Sequence, residues 1–179
     1  MKYFLTALFV ALLVSPLAAI SQTPSANDIV APTAFASNEP VARGMAIQVA
    51  VVLKIRPGFH INAREVTYEY LIPTDLRINV PAGFKFESVI YPKGTIKTFP
   101  FSKDKGLNVY TDTVILRLPL TVLKDAPLGP QHIAMKLRYQ ACNDEACFPP
   151  KTRDVEVTLT VVAAAAEAKS ANPELFPKK

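Results

Sequence analysis

Apolar and polar residues take turns along the middle of this chain. In "IQVAVVLKI" Ile47, Val49, Val51, Leu53 and Ile55 share one face. "VILRLPLTV" repeats the pattern with Val114, Leu116, Leu118, Leu120 and Val122. "HIAMKLRYQ" sets Ile133, Met135, Leu137 and Tyr139 against His132, Ala134, Lys136, Arg138 and Gln140, and "VEVTLTV" sets Val155, Val157, Leu159 and Val161 against Glu156, Thr158 and Thr160. A period of two means half-buried strands, because successive side chains point to opposite faces of a sheet. "VTYEYLI" (66–72) and "FKFESVIY" (84–91) are weaker members of the set. Turn signals lie between them at Arg56-Pro57-Gly58, Pro81-Ala82-Gly83, Pro92-Lys93-Gly94 and Pro127-Leu128-Gly129-Pro130. No stretch between 41 and 162 carries a helical period. Six or seven short strands in about 120 residues predict an all-β, immunoglobulin-like antiparallel β-sandwich, with a small closed barrel as the alternative. Burying about 20 large apolar side chains at ~1.5–3 kcal/mol each, before chain entropy, suffices for such a fold without disulfide help.

The ends read differently. Lys2, the apolar run Tyr3–Val14 and then Ser15-Pro16 with small residues form the three parts of a secretory signal peptide over 1–21, with cleavage expected after Ala19 or Ser21. The run is short for a bilayer span, and Pro16 interrupts it. No cysteine follows that could carry a lipid anchor. The expectation is export to an oxidising compartment as a protein that does not span the membrane once the signal is removed. Residues 22–40, rich in Pro, Ser, Ala and Asn, read as an extended leader in which "DIVAPTAF" lies against the domain. The folded domain is expected over 41–162, followed by an Ala-rich, then charged, flexible tail over 163–179.

Charge narrows the function classes. The 179 residues carry a formal +5, and the 20 Lys and Arg are scattered with no basic stripe interleaved with aromatics, which argues against a nucleic-acid partner.

The chemistry concentrates in "LRYQACNDEACFPP", which holds the only two cysteines, Cys142 and Cys147. They do not form the bridge of a disulfide-stabilised immunoglobulin domain, which joins strands distant in sequence and packs on a Trp; this chain has no Trp. As a local staple the pair closes a ring of about six residues, worth ~2 kcal/mol by chain entropy. As a metal site it needs two further ligands, for which the histidines offered are His60 and His132. As a redox couple it needs one sulfur that a thiolate can reach. Pro149-Pro150 stops strand pairing just after Cys147, while Asp144 and Glu145, between the cysteines, disfavour a thiolate. Spacing leaves all three readings open.

"YQACNDEACFPP" closely resembles the active-site segment of the amino-terminal periplasmic domain of the DsbD thiol–disulfide interchange family, where Tyr-Gln-x-Cys is followed by Cys-x-Pro-Pro. "PGFHIN" (57–62), "LIPTDLRI" (71–78), "VIYPKG" (89–94) and "VYTDTVILRLPLTV" (109–122) fall in that family's order and spacing, so the resemblance spans roughly 41–162. It implies an immunoglobulin-like sandwich whose Cys142/Cys147 pair relays electrons, a protein-disulfide reductase-type activity with no organic cofactor. The implied partners are a thioredoxin-like donor domain or membrane reductase on one side. On the other stand periplasmic disulfide isomerases and thioredoxin-like proteins of cytochrome c maturation. By the same resemblance Cys147 forms the mixed disulfide and Cys142 resolves it. A cap loop, here "KTFPFSKDKGLNVY" (97–110), shields the pair through Phe101 or Phe99. Tyr139, Asp144, Glu145, His60 and Asn62 are candidates for tuning the pair; some family members have tyrosines where this chain has His60 and Asn62. His60 is a candidate proton acceptor, although a lone histidine at a strand start reads first as a surface residue. With no second cysteine pair, the chain is expected to dock with a separately encoded donor. The rival expectation is a secreted immunoglobulin-like binding or chaperone-like module whose bridge only holds a loop.

Overall fold

A computed structural model describes residues 29–176; the expected signal peptide and residues 22–28 lie outside the described residues. Among the described residues twelve strands run in chain order, the long ones being β1 (Val30–Ala36), β3 (Ala46–Ile55), β8 (Ser102–Tyr110), β9 (Thr113–Val122), β10 (Gly129–Tyr139) and β12 (Lys151–Val162). The short ones are β2 (Val41–Ala42), β4 (His60–Asn62), β5 (Asp75–Asn79), β6 (Phe84–Phe86), β7 (Thr95–Phe99) and β11 (Ala141–Cys142).

Two four-stranded sheets, ordered β1-β3-β9-β6 and β2-β12-β10-β5, carry the apolar faces read from the sequence. Val49, Val51 and Leu53 of β3, Leu116 and Leu118 of β9, Ile133, Leu137 and Tyr139 of β10 and Leu159 of β12 are all sealed from solvent in one cluster. The result is an immunoglobulin-like sandwich, antiparallel apart from the short pairing of β12 with β2. A third sheet, β11-β4-β8-β7, forms at one end. It carries a satellite cluster of Leu71, Phe99, Leu107 and Val109. Both cysteines belong to this end.

Several sequence expectations need correction. The stretch read as a leader supplies β1, which pairs with β3 from Val30↔Ile55 to Ala36↔Val49, so the sandwich begins before residue 41. Pro32 lies within that strand, which an edge position tolerates because the outward N–H has no ladder partner to lose. "VTYEYLI" is a series of bends and turns, not a strand. "FKFESVIY" is a strand only over Phe84–Phe86, with a single bridge from Ile90 to Arg117. The expected cap loop is a β-hairpin, β7–β8, closed by Pro100 and Phe101. The segment read as a flexible tail is docked. Lys169 and Ala171 donate backbone hydrogen bonds to Pro40 and Ser37, Asn172 donates to the Ala36 carbonyl, and Arg117 lies 5.7 Å from the Phe176 ring. Among the described residues no helix is long and apolar enough to cross a membrane.

Truncating Leu137, fully buried on β10, to Ala is expected to cost about 2–5 kcal/mol of unfolding free energy. Lys136→Ala beside it removes only an exposed 2.7 Å pair with Asp154 and is expected to leave the denaturant midpoint almost unchanged. Urea unfolding of the two variants checks this.

Candidate thiol–disulfide site

The chain leaves β10 at Tyr139 and enters β11, which pairs with β4 at Ala141↔Ile61 and Cys142↔His60. It then turns through Asn143–Ala146 and brings Cys147 back opposite Cys142 in an antiparallel bridge. Backbone hydrogen bonds from Asn143 to Ala146 (3.0 Å) and from Phe148 to Ala141 (2.8 Å) bracket the two cysteines. That makes them a non-hydrogen-bonded pair, the position at which opposed side chains approach most closely. Their sulfurs are joined, with Cα atoms 3.9 Å apart. The turn is shaped by Asn143, whose Oδ1 accepts from the N–H groups of Glu145 (3.0 Å) and Ala146 (2.8 Å).

The two halves of the bond live in different surroundings. Cys142 is completely buried; Cys147 is exposed. Cys147 is therefore the accessible end of the bond and Cys142 the sealed one. Cys147 lines a hollow of about 330 Å³ together with Glu145, Gln140, Leu71, Tyr70 and Phe101. Tyr70 is 75% exposed and stacks on Tyr68 with ring centroids 5.4 Å apart.

Beneath the pair is a polar net. Gln140 Oε1 accepts from Asn62 Nδ2 (3.1 Å) and from the Ile72 N–H (3.2 Å), while its Nε2 donates to the Phe148 carbonyl (3.3 Å). Asn62 Nδ2 also donates to the Ile72 carbonyl, and the Asn62 carbonyl accepts from Thr74 Oγ1 (2.6 Å). Gln140 thus holds the returning arm of the cysteine loop, β4 and the 63–74 segment together through one side chain. Tyr139 is sealed in the main core.

The hairpin covers the other side. Phe99 is buried with its ring stacked on His60, centroids 4.0 Å apart at 16°. Phe101, 44% exposed, stacks on Phe99 at 5.6 Å and 10°. His60 is therefore not the surface residue expected: it is 2% exposed, and its Nε2 is buried without a hydrogen-bond partner. Its pKa falls to about 4, chiefly because burial penalises the imidazolium; Asp144 opposes the shift and Lys97 adds to it. Asp144 and Glu145 sit exposed on the turn, one beside the His60 hollow and the other beside that of Cys147.

His132, the other histidine of the metal reading, is on the exposed face of β10, with Nδ1 3.0 Å from the Thr158 hydroxyl. It lies ten residues before Cys142, well back along the strand. No cluster of three or more potential metal ligands occurs among the described residues. Sequence reasoning missed Gln140, Asn143 and Tyr70 as parts of the site. The Asn one residue after a cysteine in a short loop was the available signal for the turn.

A family model described as "Thiol:disulfide interchange protein DsbD, N-terminal" matches residues 26–159. Among solved structures, the chain is similar to the DsbD amino-terminal domain of Neisseria meningitidis in the reduced form. The identity is 17%, coverage is 83% of this chain and 100% of that one, and the TM-score is 0.44. It is also similar to a structure of the complex between the DsbD and PilB amino-terminal domains from the same organism (17% identity, 77% and 88% covered, TM-score 0.44). A third is the amino-terminal periplasmic domain of ScsB from Proteus mirabilis (13% identity, 71% and 45% covered, TM-score 0.45). No curated protein matches the chain.

Gln140→Leu removes one of the two partners of Asn62 Nδ2 and the side-chain partners of the Ile72 N–H and the Phe148 carbonyl. The expected cost is about 1–3 kcal/mol for buried groups left unpaired. Faster amide exchange at Ile72 and around the cysteine turn should accompany it, measured against unchanged exchange in β3 and β9.

Proposed function

The chain belongs to the family of DsbD amino-terminal domains, and we propose that it is a periplasmic thiol–disulfide exchange module whose Cys142/Cys147 pair relays electrons from a thioredoxin-like donor to protein disulfides. The observation that carries this reading is the asymmetry of the bond: one sulfur residue exposed at a hollow, the other sealed behind it.

In the accepting half-reaction the donor's thiolate attacks Cys147 Sγ. The bond to Cys142 breaks, its electron pair stays on Cys142 Sγ, and that sulfur takes a proton. The donor's second thiolate then attacks its own sulfur in the mixed disulfide, and Cys147 leaves as a thiolate that is protonated in turn. Two electrons and two protons have moved; the donor is oxidised and the module carries a dithiol. Delivery runs the same steps in reverse. Cys147 attacks a target disulfide, and Cys142 displaces the target from the mixed disulfide to restore the ring. Electrons are carried by the sulfur pair itself, without an organic cofactor. The donor is a thioredoxin-like domain or membrane reductase. The targets are disulfide isomerases and the thioredoxin-like proteins of cytochrome c maturation. Phe101 and Phe99 shield the ring between encounters, and the polar net under Gln140 keeps the two sulfurs opposed when the bond is open.

The fold supports such cycling because the main core contains neither sulfur. Losing the ring should reduce stability by no more than about 2 kcal/mol, the chain-entropy value for so short a loop.

Cys142→Ala, incubated with an oxidised thioredoxin-like partner, should accumulate a mixed disulfide through Cys147 on non-reducing gels, and Cys147→Ala should not. Absence of any adduct from the first variant, with the folded wild type resisting reduction by the same donor, would overturn the relay in favour of a binding module with a static bridge.

A further inference from the structure

His60 occupies a position with two neighbours of consequence. Across β4–β11 it is paired with Cys142, so the two side chains stand on the same face of the sheet. Over its ring lies Phe99, and over Phe99 lies Phe101 at the hairpin turn, making a three-ring column from β4, beside the cysteine strand, to the tip of the cover. The tip of the hairpin has little else to hold it there. β7 is an edge strand whose first four residues are exposed, whereas β8 is fastened at its base, by pairing at Ile61↔Tyr110 and Asn62↔Val109 and by the bonds of Asn108 to Ala63, Thr67 and Glu65. Phe99 anchors the satellite cluster with Leu71, Leu107 and Val109, apart from the main core.

We propose that His60 is the positioning residue of the cover, a proton-sensitive foot on which the Phe99–Phe101 hairpin closes when the imidazole is neutral and from which it lifts when the imidazole is charged. The proposal rests on the relay reading only in taking the hairpin as the cover of the sulfur pair.

The physical case is one of hydration. Closed, the ring is almost wholly buried and its Nε2 has no acceptor, so a proton on that nitrogen has nothing to receive it. The charged groups around it come from three elements. Lys97 on β7 disfavours a positive ring, Asp144 on the cysteine turn favours one, and Asp112 from the β8–β9 turn lines the same hollow of about 170 Å³. Cys142, across the strand pair, is uncharged while its sulfur is bridged. Face contact with Phe99 attracts a cation weakly and does not replace a lost hydration shell. Lifting the hairpin returns the ring to water, with Asp144 beside it to accept the charge.

The sign follows from linkage. The closed form holds His60 at about 4 against an ordinary 6.5, so it binds fewer protons than the open form between those values. Closure is fully favoured above pH 6.5 and is lost as pH falls through the window towards 4. Between pH 7.5 and pH 5 the opening equilibrium should rise about thirtyfold, the ratio of the two binding polynomials for these pKa values.

Hydrogen-exchange protection factors of the oxidised full chain, corrected for intrinsic exchange rates, test this at pH 7.5 and pH 5. In the wild type, protection across β7 and the facing 102–107 stretch of β8 should fall about thirtyfold relative to β10 and β12. His60→Phe keeps a stacking ring that cannot take a proton, and should hold the hairpin equally closed at both pH values. His60→Gln lacks the ring and should leave it open at both. A flat wild-type response, an equal fall in His60→Phe, or a loss spread evenly over β10 and β12 overturns the proposal. Should His60→Phe fail to fold, NMR titration of the wild-type imidazole decides: a midpoint well below 6.5 accompanied by shifts in hairpin resonances supports it, and an ordinary midpoint overturns it. Thiol exchange is scored separately. Exchange with a flat hairpin response removes the switch alone, and a responsive hairpin without exchange removes the relay alone.

Discussion

Burial of one face of β3, β9, β10 and β12 is the interaction on which the rest of the molecule leans. Side chains such as Val51, Leu118, Leu137 and Leu159 close the space between the two sheets with no contribution from either cysteine. That leaves the cysteine pair free of structural duty in the main core. It can sit at the end of β10, on a short extension that turns back on itself. Had the bridge crossed between sheets, as in disulfide-stabilised immunoglobulin domains, opening it would have cost the fold a long-range crosslink.

The end of the sandwich then holds the loop that carries the two sulfurs. Two bracketing backbone hydrogen bonds, the Asn143 turn and the three-way grip of Gln140 fix the loop independently of the S–S bond. The Gln140 contacts are partly buried and expensive to leave unmade, while the Asn143 bonds are exposed and set the turn locally. The aromatic column on His60 is of another kind. It is a modest apolar contact at the edge of a small cluster, suited to being broken and remade.

Much of this was legible in the residues. Alternation fixed the core faces of β3, β9, β10 and β12 because a half-buried strand leaves no other pattern. β1 was legible as a segment laid against the domain but not as a strand, since Pro32 and its small polar neighbours look like linker, and only its edge position makes them acceptable in a sheet. Residues 66–72 misled in the opposite sense: Val66, Tyr68 and Tyr70 alternate, yet Val66 and Tyr68 pack on the satellite cluster from a string of bends. At the site, the spacing of Cys142 and Cys147 was compatible with a staple, a metal clamp or a redox pair. Which sulfur faces solvent depends on the pairing of β11 with β4, a contact some eighty residues apart in sequence. The burial of His60 has the same origin, since it depends on a hairpin that packs over it from elsewhere in the chain.

The reduction potential of the Cys142–Cys147 bond, measured in the folded chain against a thioredoxin-like couple, bears most directly on the claim that this bond is made to open. A value within about −180 to −270 mV, where such couples exchange electrons, with the β-sheet signature unchanged on reduction, is the result the account predicts. A value below about −300 mV, the range of structural disulfides, or a domain that unfolds once reduced, would contradict it.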